Sequence, residues 1–148
     1  MEVQPDFREL LALFNEHKVA YAIVGGYALA YHGAPRYTGD IDILVQPDLE
    51  NARRVLSALA DFGFGDLGLT VEDFSAPDCV VQLGYPPVRV DLITSLSGVS
   101  WQEICADRAE GQYGDLTVFF MGRPQLITNK RASGRKKDLA DLEALGEE

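Results

Sequence analysis

The chain has 148 residues, 47% apolar and 24% charged, a composition that supports a folded core and excludes a disordered or repetitive protein. Thirteen basic against 23 acidic residues give a net charge of −10, which excludes a broad positive surface for coating nucleic acid but permits a local basic site. No run of about 18 apolar residues is present to span a bilayer, and the opening MEVQPDFREL lacks a basic-then-apolar leader, so a cytoplasmic location is expected.

Residues 6–18, DFRELLALFNEHK, place Phe7, Leu10, Leu11, Leu13 and Phe14 at helical spacing. VAYAIV (19–24) follows as an apolar strand that ends at Gly25-Gly26, and YALAYHG (27–33) predicts a short helix closed by Gly33. DIDILV (40–45) alternates as a strand does, and Pro47-Asp48 opens a helix that Gly63 stops. CVVQLG and VRVDLIT are strand candidates joined by YPP, which predicts a hairpin. WQEICADRAE predicts a helix, LTVFF a strand, and the C-terminal PQLITNKRASGRKKDLADLEALGEE a helical stretch broken at Ser133-Gly134. The expected architecture is an α/β (α+β) fold, a single mixed β-sheet with helices packed on a face, as one domain over residues 1–148.

Side chains alternate faces along a strand, so Asp40 and Asp42 point one way while Ile41 and Ile43 point into the core. An isolated Asp-x-Asp of this kind also occurs as a solvated strand face. In VRVDLIT, however, Asp91 is a third acid on the polar face of an apolar strand, shared with Arg89. If the two strands are neighbours, three carboxylates converge, and a divalent cation with oxygen ligands would relieve their repulsion. Gly25-Gly26, at a strand-to-helix junction, would let the backbone approach an anion closely; a mere tight turn is the alternative.

These residues resemble the nucleotidyltransferase superfamily of the DNA polymerase β type. Val24-Gly25-Gly26, thirteen residues, then Asp40-Ile41-Asp42-Ile43 match its motif, and Asp91 matches its third acid. The C-terminal Lys130, Arg135, Lys137, Asp138 and Asp141 resemble the tail of small members related to the abortive-infection toxins. Many members carry serine where Gly26 stands, so here only backbone N–H groups could hold a phosphate at that position.

The resemblance implies a metal-dependent enzyme that moves an NMP from an NTP to an acceptor hydroxyl and releases pyrophosphate, in a toxin–antitoxin or defence setting. Asp40, Asp42 and Asp91 are the expected catalytic and metal-binding residues, with two Mg2+ ions. Gly25, Gly26, Arg36 and Lys130 are expected to bind the nucleotide, although a loop arginine such as Arg36 can equally be solvated. Asp138 and Asp141 share a helix face and are expected to be structural, Asp138 pairing with a basic residue or orienting Lys130. The acceptor is open among a small molecule, tRNA and protein, and a homodimer or a partner protein could complete the cleft.

A catalytically silent nucleotide-binding or antitoxin-like module is the alternative reading, and a metal-dependent phosphohydrolase a third. His17 and His32 are expected at helix ends without catalytic duty, Tyr27, Tyr31 and Tyr37 in core or rim packing, and Trp101 as a core anchor. Cys79 and Cys105 sit in apolar contexts without a CxxC and are expected as buried, reduced thiols.

Overall fold

The computed structural model describes residues 2–35 and 38–147. Helix α1 (Pro5–Glu16) starts with proline in its first turn, where the missing N–H costs nothing, and the Gln4 side chain accepts from the Asp6 N–H. It buries Phe7, Leu10, Leu11 and Phe14, the stripe its sequence spacing predicts. Strand β1 (Tyr21–Val24) is wholly buried and runs directly into helix α2 (Gly25–Tyr31). The helix therefore begins two residues earlier than expected, because Gly25 adopts φ +63° and turns the chain within one residue.

Strand β2 (Asp40–Val45) is followed by helix α3 (Leu49–Leu59), whose Asp48 cap accepts from the Asn51 N–H. A wide helical turn over Ala60–Phe64 ends at the predicted glycine stop, with Gly63 at φ +105°. A short helix, α4 (Glu72–Ser75), precedes the hairpin of β3 (Val80–Leu83) and β4 (Arg89–Ile93). Then come α5 (Trp101–Ala106), the hairpin of β5 (Ala109–Tyr113) and β6 (Leu116–Phe120), α6 (Arg123–Ser133) and α7 (Lys136–Ala144). Gly134, at φ +62°, makes the expected break between the last two helices.

The six strands form one mixed sheet in the order β3-β4-β2-β1-β6-β5. Its centre is decided by two pairings: β1 antiparallel to β2, and β2 parallel to β4. On one face Ile23, Ile41, Ile43 and Leu92 pack with the apolar stripes of α1 and α3 in the main core. On the other, Ala22, Val24 and Leu44 meet Leu29, Ile104, Met121 and Leu126 in a smaller cluster. Helices thus cover both faces rather than one. The second face is only partly filled with apolar side chains, and its uncovered part carries the acids.

Asn51, buried at the start of α3, ties the two central strands together. Its amide accepts from the Ala20 N–H at 2.8 Å and donates to the Ala20 and Gln46 carbonyls at 3.0 Å each. These backbone groups flank β1 and β2, where the regular ladder ends.

Candidate active site

Asp40 and Asp42 lie on one face of β2, with Ile41 and Ile43 fully buried behind them. The parallel register sets Asp42 opposite Asp91 and Asp40 opposite Arg89. Oxygen atoms of Asp40, Asp42 and Asp91 all lie within 4.8 Å of one another. On the other side of β2, Val24 is paired with Asp42, so the first residues of α2 stand beside the acids. A Cβ on Gly25 would run into the Asp42 carboxylate, and one on Gly26 would crowd Thr38 at 3.2 Å. Gly25 is required for this close approach, beyond making a turn, and Gly26 sits tightly against Thr38.

A cleft of about 470 Å³ opens over this group. Gly25, Gly26, Asp40, Asp42 and Asp91 line it, together with Arg89, Lys130 and Lys137. Of the residues singled out from the sequence, Arg36 and Tyr37 lie outside the described residues. Thr38, two residues before β2, donates from Oγ1 to Asp40 Oδ1 at 2.8 Å and fixes that carboxylate.

Burial and the charges of Asp40 and Asp91 push the Asp42 carboxyl up to about 7. Burial would also raise Asp40, but the Thr38 hydroxyl, a hydrogen bond shared with Asp91 and the Arg89 guanidinium hold it below the ordinary range. Asp91 is raised, chiefly by burial, with Arg89 opposing and Asp40 adding to the shift. Three acids so close are poorly stable as three anions. Hard oxygen donors gathered around a shared point fit a divalent cation.

Arg89 already supplies part of the missing positive charge. Its Nε and Nη2 donate to the two oxygens of Asp91 at 3.1 and 2.9 Å, and Nη2 also reaches Asp40 Oδ2 at 2.9 Å. The sequence places Arg89 on the face of Asp91, but its reach to Asp40 depends on a strand pairing that no local pattern reveals.

Lys130 is buried in α6, and its Nζ lies 3.3 Å from Asp138 Oδ1 and 2.9 Å from Asp141 Oδ2. Arg135 adds a second cation on Asp138, donating from Nε to Oδ2 at 2.7 Å. The expected sharing of a helix face by Asp138 and Asp141 thus becomes a clamp around the lysine. It also pins α7 against α6.

The remaining expectations fall mostly in place. His17 and His32 cap the ends of α1 and α2, contacting Asp61 Oδ2 and the Met121 carbonyl at 2.7 Å each. Tyr27 packs edge-on against Phe7 and Tyr113, and Tyr31 stacks on Phe120 with ring centres 4.2 Å apart. Trp101 borders the smaller cluster rather than anchoring the main core. The thiols differ from expectation: Cys79 is half-buried and Cys105 exposed, because α5 turns Ile104 inward and the next residue outward.

A mixed sheet with a glycine turn facing an Asp-x-Asp strand and a third acid defines a nucleotidyltransferase-like protein. Residues 9–114 match the family described as nucleotidyl transferase AbiEii toxin, type IV TA system, and the chain belongs to that family. No curated protein sequence matches it significantly. Solved structures with a similar fold include a nucleotidyltransferase, TM1012, from Thermotoga maritima, 14% identical, with a TM-score of 0.64 over 96% of this chain and 93% of that one. The lincosamide antibiotic adenylyltransferase LnuA with bound lincomycin is 17% identical, with a TM-score of 0.61 over 97% and 96% of the two chains. The antibiotic-resistance factor ANT(2'')-Ia is 14% identical, with a TM-score of 0.56 over 95% and 80%. Among the described residues, no helix is long and apolar enough to cross a membrane.

Proposed function

We propose that the chain transfers a nucleoside monophosphate from an NTP to an acceptor hydroxyl, as the toxin of a toxin–antitoxin pair. The convergence of Asp40, Asp42 and Asp91 within 4.8 Å, beside a turn whose Gly25 leaves no room for a side chain, carries this reading. Family membership supports it independently.

In this reading Asp40, Asp42 and Asp91 hold Mg2+, with two ions as the expected number. Bound there, the metal would offset the negative charge of the triphosphate and polarise the reacting oxygens. Backbone N–H groups at Gly25 and Gly26 approach the phosphates. The Lys130 ammonium carries three N–H donors, and two ion-pair partners leave it able to turn one toward the cleft it lines. Arg36, four residues before Asp40 in sequence, is a further phosphate contact in this proposal. Asp91 takes up the proton of the acceptor hydroxyl. The acceptor oxygen bonds to the α-phosphorus while the bond from that phosphorus to the bridging oxygen breaks, and pyrophosphate leaves.

ATP is one candidate donor, and a small molecule, a tRNA end or a protein is the acceptor class to search. The test is incubation with NTPs labelled at the α-phosphate, Mg2+ and cell extract. The expected result is label on an acceptor and pyrophosphate in solution, both lost in Asp42→Asn. Binding without labelled product would instead support a silent module, and release of orthophosphate a phosphohydrolase.

A further inference from the structure

Arg89 stands where a cation is needed. It is the first residue of β4, directly opposite Asp40 in the parallel pair, and its guanidinium grips both oxygens of Asp91 and one of Asp40. Its side chain remains about a third exposed, whereas that of Asp91 is 10% exposed. The arginine therefore reaches in from the cleft and can withdraw into it, but the aspartate has no comparable freedom.

We propose that Arg89 is a built-in competitor of the divalent cation: it neutralises Asp40 and Asp91 and must release them for the metal to bind. This rests on the reading of Asp40, Asp42 and Asp91 as the metal-binding set. The argument is one of charge and of shared atoms. A divalent ion held by Asp40 and Asp91 would use carboxylates whose oxygens the fork already occupies, and would face a positive charge a few ångström away.

The release has a second consequence. Arg89 lines the same cleft as Gly25, Gly26 and Lys130. A guanidinium freed from the acids stays anchored on β4 at that cleft, where the anion available to it is the triphosphate. Metal and nucleotide then bind cooperatively, since each favours the position of Arg89 that the other needs. The site resists free metal and accepts it together with its substrate. Arg89 acts here as a positioning residue whose partner changes on loading.

The experiment titrates Mn2+, read by electron paramagnetic resonance, into the wild type, Arg89→Gln and Arg89→Lys, with and without a non-hydrolysable ATP analogue. Without nucleotide, Arg89→Gln is expected to bind Mn2+ roughly tenfold more tightly than the wild type, the scale set by removing one opposing charge nearby. The analogue should tighten Mn2+ binding in the wild type and do so much less in the variant. Arg89→Lys keeps the charge but cannot span both carboxylates with a planar fork, so its affinity should lie closer to that of Arg89→Gln.

Circular dichroism checks that each variant folds; if Arg89→Gln does not, Arg89→Lys against the wild type carries the same comparison. Unchanged or weaker Mn2+ binding on loss of the fork, with binding still abolished by Asp42→Asn, overturns the competition alone. Equal affinity of Arg89→Lys and the wild type also overturns it, reducing the effect to long-range charge. Absence of Mn2+ binding in every variant, with nucleotide present, overturns both the competition and the metal site beneath it.

Discussion

Gly25 lies so close to Asp42 that the smallest side chain there would strike the carboxylate. The two residues are joined by the register of β1 and β2, which pairs Val24 with Asp42 and brings the start of α2 against the acid. One contact thus links the two halves of the sequence motif, the glycine turn and the Asp-x-Asp strand.

The contact makes Gly25→Ala doubly unfavourable, since the backbone is at φ +63° and the Cβ has no space. We expect a loss of roughly 1–3 kcal/mol, combining left-handed strain with a steric clash. Urea denaturation of Gly25→Ala, Asp42→Ala and the double variant measures it. Most of the steric part should go when Asp42 is shortened to its Cβ, which stands 3.2 Å away, so the double variant should be more stable than the sum of the single effects by at least about 0.5 kcal/mol. Strict additivity would show that the two residues do not press on each other.

The shifted carboxyl of Asp42 predicts how metal-free stability depends on pH. Its folded value of about 7 lies above the unfolded value of 3.8. Between these limits the unfolded chain gives up the proton first, so the stabilising effect of the protonated form is present below about pH 4 and is lost as pH rises to about 7. The full span is at most about 4 kcal/mol at 1.36 kcal/mol per unit, and partial solvation reduces it. Asp42→Asn should therefore raise the metal-free Tm at pH 8 and change it little at pH 4. Added Mg2+ should raise the wild-type Tm at pH 8 more than that of the variant. Thermal scans at the two pH values, with chelator or Mg2+, decide this; an Asp42→Asn protein less stable at pH 8 would contradict it.

The local parts of this site were legible because they depend on short periods. Alternation in DIDILV put Asp40 and Asp42 on one face, and the same rule gave the faces of Arg89 and Asp91. Pairing was not legible: Asp42 meets Asp91 through a parallel ladder between segments 49 residues apart in sequence, a register set by packing on both sheet faces. Arg89 was consequently seen beside Asp91 but not across from Asp40. The predicted helix WQEICADRAE runs over Ala109 and Glu110, the first two residues of β5, because alanine and glutamate are good helix formers, and the rest of β5 carries no strand signal. It survives as a strand by pairing with β6, with Glu110 and Gln112 exposed and Tyr113 buried. Helix α4 is a single turn holding Phe74 in the core, too short to produce a periodic signal.

Asn51 offers a test of how the sheet is held at its centre. Its three hydrogen bonds satisfy both backbone groups of Ala20 and the carbonyl of Gln46. In Asn51→Leu the side-chain volume stays similar and the Ala20 N–H loses its partner, while the Ala20 and Gln46 carbonyls keep the N–H groups of Gln46 and Asp48, so the expected loss is about 1–3 kcal/mol, the cost of one buried group left unsatisfied. Chemical denaturation measures the total, and hydrogen exchange at the Ala20 amide should accelerate more than exchange in β5. A loss below about 0.5 kcal/mol would mean that water replaces the amide.

The clamp on Lys130 predicts a variant whose stability and activity must be separated. Lys130→Met leaves Asp141 without the ammonium 2.9 Å away, while Asp138 keeps Arg135. Breaking a buried pair from one side costs about 3–5 kcal/mol, and the exposed Arg135 should limit the loss to about the lower value. Adding Asp141→Asn removes the charge that the ammonium balanced, so Lys130→Met/Asp141→Asn should recover part of the stability. Nucleotide transfer should remain depressed in that double variant if the ammonium also serves the phosphates, with KM for the NTP rising as kcat falls. Denaturation curves and kinetics at a temperature where all variants are folded distinguish the two duties. Restored activity in the stabilised double variant would assign Lys130 to holding α6 and α7 together and remove it from the phosphate site.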